Sequence, residues 1–402
     1  YIGYSTQEVP VNGRSTINVV LAEDAQALDE VVIIGYGTTT VKDATGSVTA
    51  VTSEEFNGGV IASPEQLIQG KTAGVNIQQT SGEPGAGIQV NIRGSNSVRA
   101  NNNPLFVVDG VPLDGGNTAP GGDTGIGAST PRNPLNFLNP ADIESMSILK
   151  DASATAIYGS RGANGVIIIT TKSGKGSSGP TFEFSSSLSI STPANEYDLL
   201  NREEYLAAVT QFGGNAAAVD FGANTNWQDE VTRTAVSQNQ NFSYSQNYGK
   251  GNIRATIGYG KQFGIIEKSS LERLTGRVNL THRFLDDKFI ANLQTSISRV
   301  NDEQPPLTGT AGFRGDLLGG AYSANPTWPT SQDFDDGGTQ IKPANLLAYN
   351  QNETQTDRIL LNGSLEYKVT DELTAKVNLG YDKSEGENIS VISPLTFSEG
   401  LE

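Results

Sequence analysis

Asn139 to Lys172 reads NPADIESMSILKDASATAIYGSRGANGVIIITTK, and its punctuation fixes a local architecture. Asn139 before Pro140 opens a short helix, because an Asn side chain accepts from the free first-turn N–H groups and Pro suits the first helical position. Ser145 to Lys150 reads as a strand, and Asp151 caps a second helix over Ala152 to Tyr158. The glycine-rich turn that follows releases the chain into Val166 to Thr171, a β-branched run of the kind buried on both faces.

Working upstream, the same mixed α/β pattern extends back to about Val41. Ser63-Pro64-Glu65-Gln66 is a helix opening with a capping hydroxyl, Pro at the first position and Gln three residues after the cap; Gly70 and Gly74 close it. Strands follow at Val75 to Gln79 and at Ile88 to Arg93, joined by the turn SGEPGAG. Leu105 to Val108 forms another, ending at the turn signal Asp109-Gly110.

Downstream of Ser177 the period becomes a strict two. Phe182, Phe184, Leu188 and Ile190 face one side, and Glu183, Ser185, Ser187 and Ser189 the other. Leu274, Val278, Leu280 and Phe284 oppose Arg273, Thr275, Arg277, Asn279 and Arg283; Phe289, Ala291, Leu293 and Ile297 oppose Asn292, Gln294, Ser296 and Ser298. Ile359, Leu361, Leu365 and Tyr367 oppose Arg358, Asn362, Glu366 and Lys368, and the run from Leu373 to Tyr381 repeats the alternation. Weaker strands at Asn241 to Tyr248 and Ile253 to Phe263 bring the count to about seven.

Such strands suit a soluble sandwich or a barrel with lipid outside and water within. Connection lengths decide between the two. Long connections (193–240, 302–356) and a medium one (264–270) alternate with tight ones (249–252, 285–288, 370–372), as outer-membrane barrels alternate loops and turns. Seven strands do not close a plugged barrel of about 22, and an open edge in lipid leaves backbone groups unpaired. The expectation is therefore an internal piece of a longer protein, continuing beyond Glu402 and beginning mid-domain at Tyr1 with no signal peptide.

Composition agrees. Of 402 residues only 36% are hydrophobic, with 46 Gly and a mean hydropathy of -0.33, and no apolar run approaches the ~18 residues of a membrane-crossing helix. A formal charge of -17, with 27 basic against 44 acidic residues, argues against a nucleic-acid partner. The absence of Cys removes disulfides, thiolate nucleophiles and zinc-thiolate sites together.

The ordered set of Arg93-Gly94, NPLFVVDGVPL at residues 103–113 and the run Asn139 to Lys172 resembles the plug of TonB-dependent outer-membrane transporters, specifically the SusC-like branch. The resemblance implies a mixed α/β plug domain (41–176) followed by the first strands of an antiparallel transmembrane β-barrel (177–402), incomplete in this chain. Residues 1–23, with an apolar strand at Ser15 to Leu21, would end a carboxypeptidase regulatory-like β-sandwich. Residues 24–40 would hold the Ton box, with Asp29, Glu30, Val31, Val32, Ile33, Ile34, Gly35, Tyr36 and Gly37 binding TonB. A Val- and Ile-rich segment with free edges can join another protein's sheet by main-chain hydrogen bonds; the alternative is an ordinary plug strand.

The implied activity is TonB-dependent import of glycans or peptides through the Gram-negative outer membrane, alongside a SusD-like lipoprotein, with no enzymatic step and no cofactor. A siderophore or cobalamin receptor and a non-transporting outer-membrane binding protein are the alternatives. Arg93 and Gly94 would lie in the plug core, with Arg93 seeking carboxylates on the barrel wall as a gating contact or remaining a surface arginine. Tyr322, Trp328 and Tyr349, in or beside the longest connection, offer faces for substrate stacking, or pack that loop against itself or a partner. His282, the one histidine, fits an aromatic girdle at the lipid interface. Asp333, Asp335 and Asp336 start like a calcium loop, but Ala344 stands where a bidentate Glu is needed, so a solvated loop is expected and no metal site.

Overall fold

The computed structural model describes residues 31–34, 37–40, 48–59, 61–94, 102–113, 132–151, 155–177, 179–307, 316–334, 341–370, 372–393 and 396. The expected sandwich strand in residues 1–23, together with Asp29, Glu30, Gly35, Tyr36, Asp335 and Asp336, lies outside them.

Among the described residues the first half holds nine short strands: β1 (Val31–Ile34), β2 (Gly37–Thr40), β3 (Val48–Thr52), β4 (Val75–Gln79), β5 (Ile88–Ile92), β6 (Leu105–Val108), β7 (Val111–Pro112), β8 (Ile143–Leu149) and β9 (Val166–Thr171). Five of them form one sheet in the order β3-β8-β9-β6-β7, with β6 and β9 parallel and the other pairs antiparallel. The β-branched run is the middle strand. Ile167 and Ile169 pack into a core with Phe106, Val108, Met146 and Ile148, while Val166 and Ile168 face the other way onto Leu105, Val107 and Leu149. Burial on both faces explains why β9 has no polar alternation.

Of the three helices expected in this half, those opening at Pro64 and Pro140 are 3₁₀ turns. Pro64–Ile68 starts as read, with the Gln66 carboxamide oxygen accepting from the Ala62 N–H at 2.7 Å and the Ser63 N–H at 3.3 Å. It stops after five residues because Gln69 is extended and Gly70 takes φ 76°. Of the helix expected over Ala152 to Tyr158, residues 152–154 lie outside the described residues; Thr155 is helical, and a 3₁₀ stretch, Ala156–Gly162, follows it, interrupted where Gly159 adopts φ 58° and ψ -144°. The strand after Asn139-Pro140 begins at Ile143 rather than Ser145, with a bulge against β9 at its start.

The second half is a seven-stranded antiparallel meander in sequence order: β10 (Thr181–Ser191), β11 (Ala235–Asn247), β12 (Gly251–Phe263), β13 (Ser270–Phe284), β14 (Phe289–Glu303), β15 (Asn350–Lys368) and β16 (Thr374–Ile392). The sheet is open, with β10 and β16 at its edges. Its polarity is the reverse of a soluble sheet. Phe184, Ile257, Ile297 and Leu379 are between 53% and 72% exposed on one face, whereas Arg273, Ser298 and Arg358 on the other are each 3% exposed, covered by the first half. At the tight-turn end, rings of Tyr248, His282, Phe284, Phe289 and Tyr367 succeed one another from the β11–β12 turn across β13, β14 and β15, with centroids 4.3 to 6.5 Å apart. That row has the aromatic make-up expected of a girdle around His282.

The long connections carry helices α1 (Arg202–Gln211), α2 (Trp227–Val231), α3 (Leu317–Ser323) and α4 (Pro343–Tyr349). The last three share a core of their own around Trp227, Leu317, Trp328 and Leu346.

Candidate functional site

The polar face of the meander and the underside of the plug meet in a buried interface held at three places. The first is the β6–β7 turn, where Asp109 (φ 48°) and Gly110 (φ 88°) make the two-residue hairpin bend that requires positive φ at both positions. The Asp109 carboxylate accepts from the Thr171 N–H at 3.0 Å and pairs with the Arg277 guanidinium of β13; both side chains are almost fully buried. Asn279 donates to Thr171 Oγ1 at 3.0 Å and to the Lys172 carbonyl at 2.7 Å, and Asn362 of β15 donates to the Asp109 carbonyl at 2.5 Å. The turn and the last plug strand are thus tied to the same wall.

The second place is the loop Arg132 to Phe137. Arg132, 5% exposed, donates through Nε to Asp302 of β14 at 2.7 Å and also reaches the Pro84 carbonyl at 3.2 Å and Glu83 at 3.6 Å. Arg273 donates to the Asn136 carbonyl at 3.3 Å. Arg358 forks onto Asp382 at 2.8 and 2.6 Å, donates to the Pro134 carbonyl at 3.1 Å and lies 4.3 Å over the Phe137 ring. Planar guanidinium groups suit this role because several donors satisfy separate acceptors at once. The turn SGEPGAG belongs to this contact as well: a Cβ on Gly85 (φ 74°) would stand 2.3 Å from Leu271 Cδ1 of the wall.

At the third, Asn139 and Asp142, the residues that open the short helix, face β11 and β12. Asn139 bonds Asn241, and Asp142 accepts from Thr256 Oγ1 at 3.1 Å. Burial raises the Asp142 carboxyl above its ordinary range, with the Thr256 hydrogen bond and the Arg254 charge working against that rise. A Cβ on Gly258 would stand 2.5 Å from Asn139 Nδ2, so a bare backbone is needed where plug and wall touch.

Several site expectations change. Arg93 (φ 59°) pairs with Asp151 of the plug itself and its side chain is 53% exposed, so no barrel carboxylate meets it; the wall contacts fall to Arg132, Arg273, Arg277 and Arg358. Gly94 follows it at φ 97°, completing the turn. Trp328 is 3% exposed inside the loop core, which removes it as a stacking surface. Tyr322 is 41% exposed with its ring edge-on to Tyr197, and Tyr349 is half-buried at the end of α4. Val31 to Ile34 forms β1, and Ile34 pairs with Gly37 to make a hairpin with β2, so one edge of the segment expected to be free is occupied. Asp109, Arg277, Arg132 and Asp302 are not legible as a site in the sequence, although the inward parity of Arg273, Arg277 and Arg358 is.

A mixed α/β plug bound by buried polar contacts to the polar face of a meander whose outer face is apolar defines a class: the plug and first barrel strands of a TonB-dependent receptor. Residues 40–166 match the family model described as TonB-dependent Receptor Plug Domain. Over 423 aligned residues the chain is 34% identical to the TonB-dependent receptor SusC of Bacteroides thetaiotaomicron, covering 99% of this chain and 41% of the relative. A TonB-dependent receptor of Formosa agariphila is 36% identical over 414 residues, 100% of this chain and 38% of that protein. The structure of the RagAB peptide importer in its open-open state superimposes with a TM-score of 0.76 at 25% identity, over 90% of this chain and 43% of that one. The chain belongs to the SusC-like TonB-dependent receptors and spans about two-fifths of the length of these relatives.

Proposed function

We propose that the protein works as a TonB-dependent active importer of glycans or peptides in the Gram-negative outer membrane, its plug blocking the barrel until the segment Asp29 to Gly37 is pulled. The observation that carries this reading is the plug's attachment: the hydrogen bonds and ion pairs that tie it to the wall lie on the inward face, beside a smaller apolar contact at Leu360, while the apolar face of the strands points away toward lipid. Polar contacts of that kind exchange readily for water once the plug shifts, whereas an apolar core contact would not. TonB would join through β1 and its neighbours by strand pairing; because β2 already holds one edge, the partner takes the other edge or opens the hairpin. A SusD-like lipoprotein would cover the long-loop end and deliver cargo, and the peptide named for RagAB fits the same class of cargo. Arg93 and Gly94, beside Asp151, would act as a hinge contact within the plug rather than as a wall latch. No covalent chemistry and no cofactor enter this scheme.

Deleting residues 29–37 from the full-length receptor tests it. Uptake of labelled oligosaccharide or peptide should cease while surface binding stays unchanged. Continued uptake would exclude the mechanism.

A further inference from the structure

The loop core and the plug both touch one short turn, residues 264–269, which joins β12 to β13 at the loop end of the sheet. We propose that this turn is a strap coupling the loop core to the top of the plug, with Arg233 as its positioning residue. The inference rests on the import reading for its purpose, whereas the coupling itself is a property of the contacts.

The loop core grips the turn through the end of α2. The Glu267 N–H donates to the Val231 carbonyl at 3.0 Å and the Arg233 N–H to the Ile265 carbonyl at 2.8 Å, with Thr232 and Ile266 paired as an isolated antiparallel bridge between them. The Arg233 guanidinium then closes the turn, donating to the Gly264 carbonyl at 3.0 Å, the Ser269 carbonyl at 2.8 Å and the Glu267 carboxylate at 3.1 Å. Three acceptors on one planar group fix the turn to α2. Ile266 packs on the core that holds Trp227 and Val231, and Lys268 donates to the Asn350 carbonyl, just past α4, at 3.0 Å.

The other side of the turn lies against the plug. A Cβ on Gly264 would stand 2.9 Å from Pro84 Cδ, and Leu271, the second residue of β13, packs as closely on Gly85. Pro84 and Gly85 are bonded in turn to the second contact place: the Pro84 carbonyl accepts from Arg132 at 3.2 Å, and the Gly85 carbonyl from Asn136 Nδ2 at 2.8 Å and the Asn133 N–H at 3.2 Å. From α2 through Arg233, Gly264 and Pro84 to Arg132, each step is a hydrogen bond or a contact too close to admit a side chain. Packed contacts of that kind switch between arrangements rather than stretch. Coupling through them is reciprocal, so a change made in the plug must reach the loops as surely as the reverse. A turn that only seated the loops on the wall would pass on neither.

Hydrogen exchange read by mass spectrometry on the full-length receptor in detergent tests both directions. Arg233→Met should raise exchange at least tenfold in plug peptides covering residues 81–87 and 132–137 and leave residues 139–142, at the third contact place, at the wild-type rate. Arg233→Lys, which keeps a donor for the turn, should restore most of the protection. Pro84→Ala, a change in the plug alone, should raise exchange in α2 and α3. Arg202→Gln, which breaks the Arg202 fork onto Asp220 without touching the turn, should leave the plug unchanged. Plug peptides unmoved by Arg233→Met, or moved as far by Arg202→Gln, would overturn the proposal, as would loops unmoved by Pro84→Ala; where Arg233→Met does not fold, the Pro84→Ala and Arg202→Gln results decide. Uptake that still requires residues 29–37 in a receptor failing these tests would leave the import reading standing without the strap, and a coupled receptor whose uptake ignores residues 29–37 would leave the strap without that reading.

Discussion

At the residue scale, the buried pair of Asp109 and Arg277 is where one substitution should have the largest effect. Removing one member leaves the other charge buried and unpaired, at a cost of roughly 3–5 kcal/mol. Arg277→Met should therefore loosen the plug, read as faster proteolysis of the β6–β7 region in the full-length receptor, and Asp109→Asn added to it should recover part of the loss. If the single variant is cleaved no faster than wild type, the pair does not hold the plug. Glu65 gives a pH prediction. Burial holds its carboxyl above the ordinary 4.5, with the Asn133 hydrogen bond at 2.9 Å opposing the rise only in part. A raised folded-state pKa contributes stability that is complete below the unfolded value and is lost as pH climbs through the folded value. Glu65→Gln should gain on wild type in melting temperature as pH rises from about 4.5; a difference flat in pH would contradict the assignment. Neither residue was legible as special in the sequence. Asp109 reads as turn punctuation and Glu65 as first-turn acid, because their importance comes from strands up to 253 positions away that no local pattern brings near.

At the scale of elements, period two carried nearly all the information. The seven meander strands and their facing were readable because lipid, water and plug impose one rule on every strand: apolar outward, polar inward. Strand ends were not, since β15 begins at Asn350 and β16 runs to Ile392, past Tyr381 where the sequence reading of that strand stops. In that upper stretch the outward face becomes charged, with Arg299 bridging to Asp357 and Lys261 to Glu272. A change in outward chemistry with height gives a paired prediction on β14. Leu293→Arg, in the middle of the apolar band, should cost ~2–4 kcal/mol of stability in bilayers. Asn301→Arg, with the same outward parity but in the charged region, should be close to neutral. Equal costs in urea titrations of reconstituted protein would show that the band is misplaced. The plug was less readable than the barrel. Its strands followed β-branched runs, but the helix signal at Ser63, with its capping box, produced only a five-residue 3₁₀ turn, which ends where Gln69 is extended and Gly70 takes φ 76°.

For the whole molecule, family membership was legible from the ordered motifs, whereas the manner in which plug and barrel meet was not. Motif order reports ancestry; the three contact places depend on which inward side chains happen to lie under which plug loop. The resulting arrangement assigns opposite duties to the plug's ends. Its last strand, β9, is tied through Thr171 and Lys172 to Asn279 and runs into β10 within ten residues, while β3 sits at the sheet's edge on β8 alone. Force applied upstream of β3 therefore reaches an edge strand of the plug sheet first. The central claim is that the docked plug seals the barrel, and conductance across planar lipid bilayers tests it most directly. The full-length receptor should be electrically silent, and the same protein lacking residues 48–171 should show a steady aqueous conductance; a full-length receptor that already conducts like the plug-less form would contradict the account.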